Sequence, residues 1–86
     1  MDLNLHQKQG INHLQKVLNY APFVAEDGEA TVHLTAEDWH VLADTLFQMN
    51  TPRDLLPEAV REYRLANGNR TIEVVTDDYL IRVDII

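Results

Sequence analysis

The four histidines are the side chains best suited to acid–base or metal chemistry. They fall in two pairs seven apart, His6 with His13 and His33 with His40. On a helix a spacing of seven returns to the same face but separates the rings by about 10 Å along the axis, too far for two ligands of one ion. His33 and His40 straddle a predicted strand–helix boundary, which leaves their separation open. His40 stands four residues before Asp44, so the two side chains can pair on a helix. A general base supported by a carboxylate has this pattern, and so does a solvated helix face. The chain has neither Ser nor Cys, and its two lysines, Lys8 and Lys16, lie among polar residues near the N-terminus. The commonest covalent nucleophiles and the thiolate metal ligands are therefore missing. Gly10, Gly28 and Gly68 are isolated and cannot form a phosphate-cradling loop. On these grounds no catalytic residue, no metal and no cofactor is expected.

The charged residues are more informative. Between Val17 and Pro52 there is no Lys or Arg, while Glu26, Asp27, Glu29, Glu37, Asp38 and Asp44 all fall in that window. These six acids account for most of the net charge of −7. Glu26, Asp27 and Glu29 surround Gly28 without the alternating ligand spacing and distal Glu of a calcium loop, so they read as a solvated turn. Arg53, Arg61, Arg64 and Arg70 form the one basic cluster, but Glu58 and Glu62 are interleaved with it. Direct nucleic-acid binding calls for a basic stripe or domain, and none is present. A one-signed field of this kind biases partner choice and speeds encounter with positive surfaces.

These residues are positioned by elements that the hydrophobic pattern predicts. Ile11, Leu14, Leu18 and Ala21 recur at helical spacing in a helix from about Leu3 to Tyr20, stopped by Pro22. Asp27-Gly28 is a turn signal, and the Phe23–Ala25 segment before it is a short candidate strand. Ala30, Val32 and Leu34 alternate with polar residues as a half-buried strand does. Thr35 caps a second helix with Glu37 and Asp38 in its first turn and an apolar stripe of Trp39, Leu42, Ala43, Leu46 and Phe47. Pro57 suits the first position of a third helix, running to about Ala66 and ended by Asn67-Gly68. The C-terminal segment predicts a hairpin about Asp77-Asp78, in which Val74 opposes Ile81, Ile72 opposes Val83 and Glu73 opposes Arg82. That register puts apolar pairs on one face and a charge pair on the other.

The chain, residues 1–86, is thus expected to form a single α+β domain: an antiparallel sheet of three to four strands with about three helices packed on it, in the order α-β(β)-α-α-β-β. The absence of Cys points to a reducing compartment. The N-terminus has no basic, apolar leader, and no apolar run is long enough to span a membrane. A cytoplasmic protein is expected. With the stripe of the second helix turned inward, Glu37, Val41, Asp44 and Gln48 lie outward. Together with Glu26, Asp27 and Glu29 they make a candidate partner-binding surface, although the same residues also serve as solubilising surface. The profile (short, acidic, Cys-free, α+β) is similar to that of small inhibitor, immunity or antitoxin-type and regulator proteins, phage-encoded ones among them; no motif carries the resemblance.

The first functional expectation is a non-catalytic interaction module, an inhibitor or regulator docking on a basic surface of a partner such as a nucleic-acid-binding protein. The second is a structural subunit or homo-oligomer, a homodimer for example, in which the acidic middle of one copy meets the Arg-bearing third helix of another. The third is a small enzyme using His40 with a carboxylate.

Overall fold

The computed structural model describes residues 3–86; Met1 and Asp2, part of the N-terminus read above as no leader, lie outside the described residues. Asn4 starts the first helix. Its side chain accepts from the Gln7 backbone N–H at 2.8 Å, and the Gln7 side-chain oxygen accepts from the Asn4 N–H at 3.1 Å. This reciprocal cap satisfies two donors that a helix start otherwise leaves free. The helix, α1 (Leu5–Val24), contains Pro22 instead of stopping before it. Proline's fixed φ suits a helix and it forfeits one hydrogen bond; in the last turn the burial of Leu14, Val17 and Ala21 outweighs that loss.

The strand expected at Phe23–Ala25 is absent, because that segment is the end of α1 and its cap. What remains of the early hairpin is one bridging pair. Glu26 and Glu29 exchange backbone hydrogen bonds at 2.8 and 3.1 Å across Asp27 (φ 53°) and Gly28 (φ 78°). Two left-handed residues in a row define the type I′ turn that Asp-Gly favours. β1 (Glu29–Leu34) follows, then α2 (Ala36–Phe47), whose first turn is capped by the Thr35 hydroxyl accepting from Asp38 N–H at 3.2 Å.

The third helix does not form. Arg53–Leu55 is one turn of 3-10 helix, and Glu62–Ala66 is a strand, β2, which a hairpin joins to β3 (Thr71–Val75). Asn67, Gly68 and Asn69 all have positive φ in that turn, so Asn67-Gly68 reverses a chain here instead of ending a helix. Tyr63 and Leu65 alternate with exposed Glu62 and Arg64, a period-two pattern that the helical reading of Leu56, Ala59, Val60 and Tyr63 passed over.

β4 (Leu80–Ile85) completes a sheet of order β1-β4-β3-β2. The predicted register of the last hairpin holds, with Val74 on Ile81, Ile72 on Val83 and Glu73 on Arg82. The sheet is mixed rather than antiparallel, because β1 runs parallel to β4 with Glu29 beside Leu80 and Val32 beside Val83. The domain is therefore α+β with two helices on one face of four strands. Ile72, Val74, Ile81 and Val83 point from the sheet into a core closed by Leu14, Val17, Trp39 and Leu42. Trp39 is 3% exposed and its indole N–H donates to the Val83 carbonyl at 2.8 Å. No described helix is long and apolar enough to cross a membrane.

Candidate functional site

The parallel pairing of β1 with β4 brings two turns of the chain to one end of the domain. Leu80 N–H donates to the Gly28 carbonyl at 2.8 Å, so the Asp27-Gly28 turn sits beside the Asp77-Asp78 turn. In the second turn the Thr76 hydroxyl accepts from Asp78 and Tyr79 N–H at 3.3 and 3.0 Å, which fixes the loop without a left-handed residue. Five carboxylates meet at this end: Glu26, Asp27, Glu29, Asp77 and Asp78. Two of them are neutralised locally. Arg61 grips Asp77 with two bonds of 2.9 Å, and Arg82 meets Glu29 at 2.6 Å. Hydrogen bonding to Arg61, then its charge, holds the Asp77 carboxyl below the usual carboxylate range. The Arg82 guanidinium is held above its ordinary value, chiefly by its hydrogen bond to Glu29. Glu26, Asp27 and Asp78 form no ion pair among the described residues and are exposed.

The seven residues singled out from the sequence do not form one patch. Glu26, Asp27 and Glu29 stand at the start of β1. Glu37, Val41, Asp44 and Gln48 lie on α2, which begins beyond the far end of that strand, and they do not all face outward as expected. Six strand residues at about 3.3 Å each place the two groups roughly 20 Å apart. Within the second group Glu37 and Gln48 are exposed, while Val41 and Asp44 are half-buried against α1. Asp44 does not turn to His40; it meets His6 of α1 at 3.2 Å. Asp38 likewise meets His13 at 3.4 Å. The seven-residue spacing of His6 and His13 thus serves to fasten two antiparallel helices. His40 packs edge-on against Trp39, with ring centroids 5.2 Å apart. His33 lies on the open face of the sheet, so the two histidines of the second pair are on different layers.

The basic cluster is dispersed by the strand that replaces the third helix. Arg64 on β2 bonds Glu73 at 2.8 Å, and Arg82 reaches the same carboxylate at 3.6 Å, a charge ladder across the open face. Arg53 lies over the Tyr63 ring at 5.3 Å and donates to the Val60 and Arg61 carbonyls. Among the described residues no group of three His, Asp or Glu is placed to hold a metal ion. Sequence reasoning missed Asp77 and Asp78 as members of the acidic end. Their turn was legible, but its neighbour is set by a parallel pair, and a parallel pair leaves no local signal. Comparison of the chain with protein-family models, curated proteins and solved structures returns no match.

Proposed function

We propose that this protein is a non-catalytic interaction module, an inhibitor or regulator that docks its acidic end on a basic surface of a partner protein. The observation that carries the reading is the convergence of Asp27 and Asp78, both exposed and without an ion partner among the described residues, on two adjoining turns. Carboxylates left free in this way keep their oxygens available to a partner, whereas Asp38 and Asp44 are engaged by histidines of α1. The partner face is basic and suits a nucleic-acid-binding protein, with the carboxylates standing where phosphates lie. A cytoplasmic setting fits the absence of Cys.

The test is capture from the source cells with the native protein and an Asp27→Asn/Asp78→Lys variant in parallel. Asn is used at position 27 because it tolerates the positive φ there. The partner is retained by the native protein at low salt and released by the variant. Its association rate falls about tenfold or more, and the difference shrinks as salt rises. A matched Glu37→Lys variant tests the α2 patch. Equal binding by the native and turn variants refutes the acidic end; a loss confined to Glu37→Lys moves the site to α2. Glu73 and Asp84 are unsuitable as charge controls, because Glu73 sits in the Arg64–Arg82 ladder and Asp84 accepts from the Thr71 hydroxyl at 2.5 Å.

A further inference from the structure

β1 is an edge strand, bonded to β4 on one side only. Successive residues of a strand direct their backbone groups to alternate edges. The Gly28 and Leu34 carbonyls accept from Leu80 and Ile86, on the β4 side. Ala30 and Val32 therefore face β4 as well, and Glu29, Thr31 and His33 face outward. Glu29 is closed off by its two bonds to Glu26. The N–H and C=O groups of Thr31 and His33 are left with no backbone partner among the described residues. Beside them runs a groove of about 630 Å³ between α1 and this edge, lined by Lys16, Tyr20, Val24 and residues 31–34. Three further concavities each contain an acid, Asp77 and Asp78, Asp84 or Asp44, whereas this one contains none. Tyr20 is 53% exposed and its neighbour Phe23 84%. Apolar side chains clustered on an unpaired edge mark an interface more than a solvated surface.

We propose that this edge joins two copies of the chain, β1 pairing antiparallel with β1 of the second copy about a two-fold axis at Val32. In that register Thr31 opposes His33 of the other copy, and all the free backbone groups of both edges are bonded. Centring the axis on Thr31 sets His33 against Glu29, whose groups are already used. Centring it on His33 sets Thr31 against Thr35, where the strand has ended. Charge favours the same register. α1 ends just before β1 begins and runs back along it, so Lys16 lies toward the Leu34 end of the groove. Glu26 is held outside Glu29, and in the second copy Glu29 falls opposite Thr35. Glu26 of each copy therefore comes to the end where Lys16 of the other lies. Neither forms an ion pair within its own chain among the described residues. The layers match too, since four strands at about 4.8 Å span nearly the width of two helices at about 10 Å. Eight strands then continue under four helices.

Sedimentation equilibrium over a range of about 1–200 µM tests the proposal, because a modest interface of this kind dissociates within such a range. The native protein is expected to be a dimer in the upper part of it. Lys16→Glu and Glu26→Lys should each weaken the dimer about tenfold, and the double exchange should restore it, as expected of a direct charge pair. Thr31→Pro removes an outward N–H that β4 does not use and should give a folded monomer. If Thr31→Pro fails to fold, the charge exchange decides alone. A native monomer at about 200 µM, or a double exchange as weak as its single changes, overturns the proposal, whatever other strand the edge then accepts.

Discussion

Gly10→Ala should destabilise the protein, although the same change in an ordinary helix interior stabilises it by about 0.5–1 kcal/mol. Gly10 lies in the middle of α1 where that helix crosses α2 at Thr45. A β-carbon built on Gly10 would stand 1.9 Å from the Thr45 hydroxyl oxygen, 2.5 Å from its β-carbon and 3.0 Å from its methyl carbon. Rotating Thr45 removes the first overlap but not the second, since a β-carbon moves only with its backbone. Thr45 is also fully buried and its hydroxyl donates to the Val41 carbonyl at 2.8 Å. The helices must therefore separate by more than half an ångström, which strains the pairs from His6 and His13 to Asp44 and Asp38. Overpacking of this kind costs about 1–3 kcal/mol, against a gain of less than 1. The net loss of roughly 1–2 kcal/mol corresponds to a fall of about 4–16 °C in Tm for a domain of this size. Urea and thermal denaturation of four proteins measure it: native, Gly10→Ala, Thr45→Gly and the double variant. In the Thr45→Gly background the obstructing β-carbon is gone, and Gly10→Ala should become neutral or stabilising. A stabilising Gly10→Ala in the native background, or the same loss in both, refutes the close-crossing argument.

Trp39→Ala should cost about 3–5 kcal/mol, near the whole stability of a small domain, because it empties a core site and removes the indole's hydrogen bond to the Val83 carbonyl. Native Trp39 fluorescence should be blue-shifted and protected from acrylamide; a red-shifted, freely quenched signal would contradict its burial. Asp77 is expected to titrate below its ordinary 3.8 while Arg61 is present. Since its folded pKa is depressed, the pair's contribution is present above the unfolded pKa and fades as pH falls through the folded one. Carboxyl NMR titration of Arg61→Gln should return Asp77 to the ordinary value; an unchanged midpoint would show that Arg61 is not the cause.

Several elements were legible because they are specified locally. The Thr35 cap, the Trp39–Leu42–Leu46 stripe and the Asp27-Gly28 turn each depend on residues within a few positions of one another. The register of the last hairpin was legible for the same reason, since its two strands flank one short loop, and pairing outward from that loop puts both apolar sets on one face. Leu56 to Ala66 misled because its apolar residues fit a helical period about as well as a strand's. Propensity does not settle such a segment; the choice falls to β3, which offers Val74 and Ile72 as partners for Tyr63 and Leu65. Pro22 predicts a helix stop and a mid-helix glycine is locally costly, yet Pro22 and Gly10 both lie inside α1 because buried contacts outweigh their local cost. The sequence by itself determined the class of domain, its acidity, the missing nucleophiles and the inward face of α2. Only the tertiary structure decided which carboxylates remain free. Asp44 and Asp38 met histidines of another helix, Glu29 and Asp77 met arginines, and Asp78 joined Asp27 through a parallel strand pair. Local propensity has a range of a few residues, whereas ion pairs and sheet partners form between segments that only packing brings together.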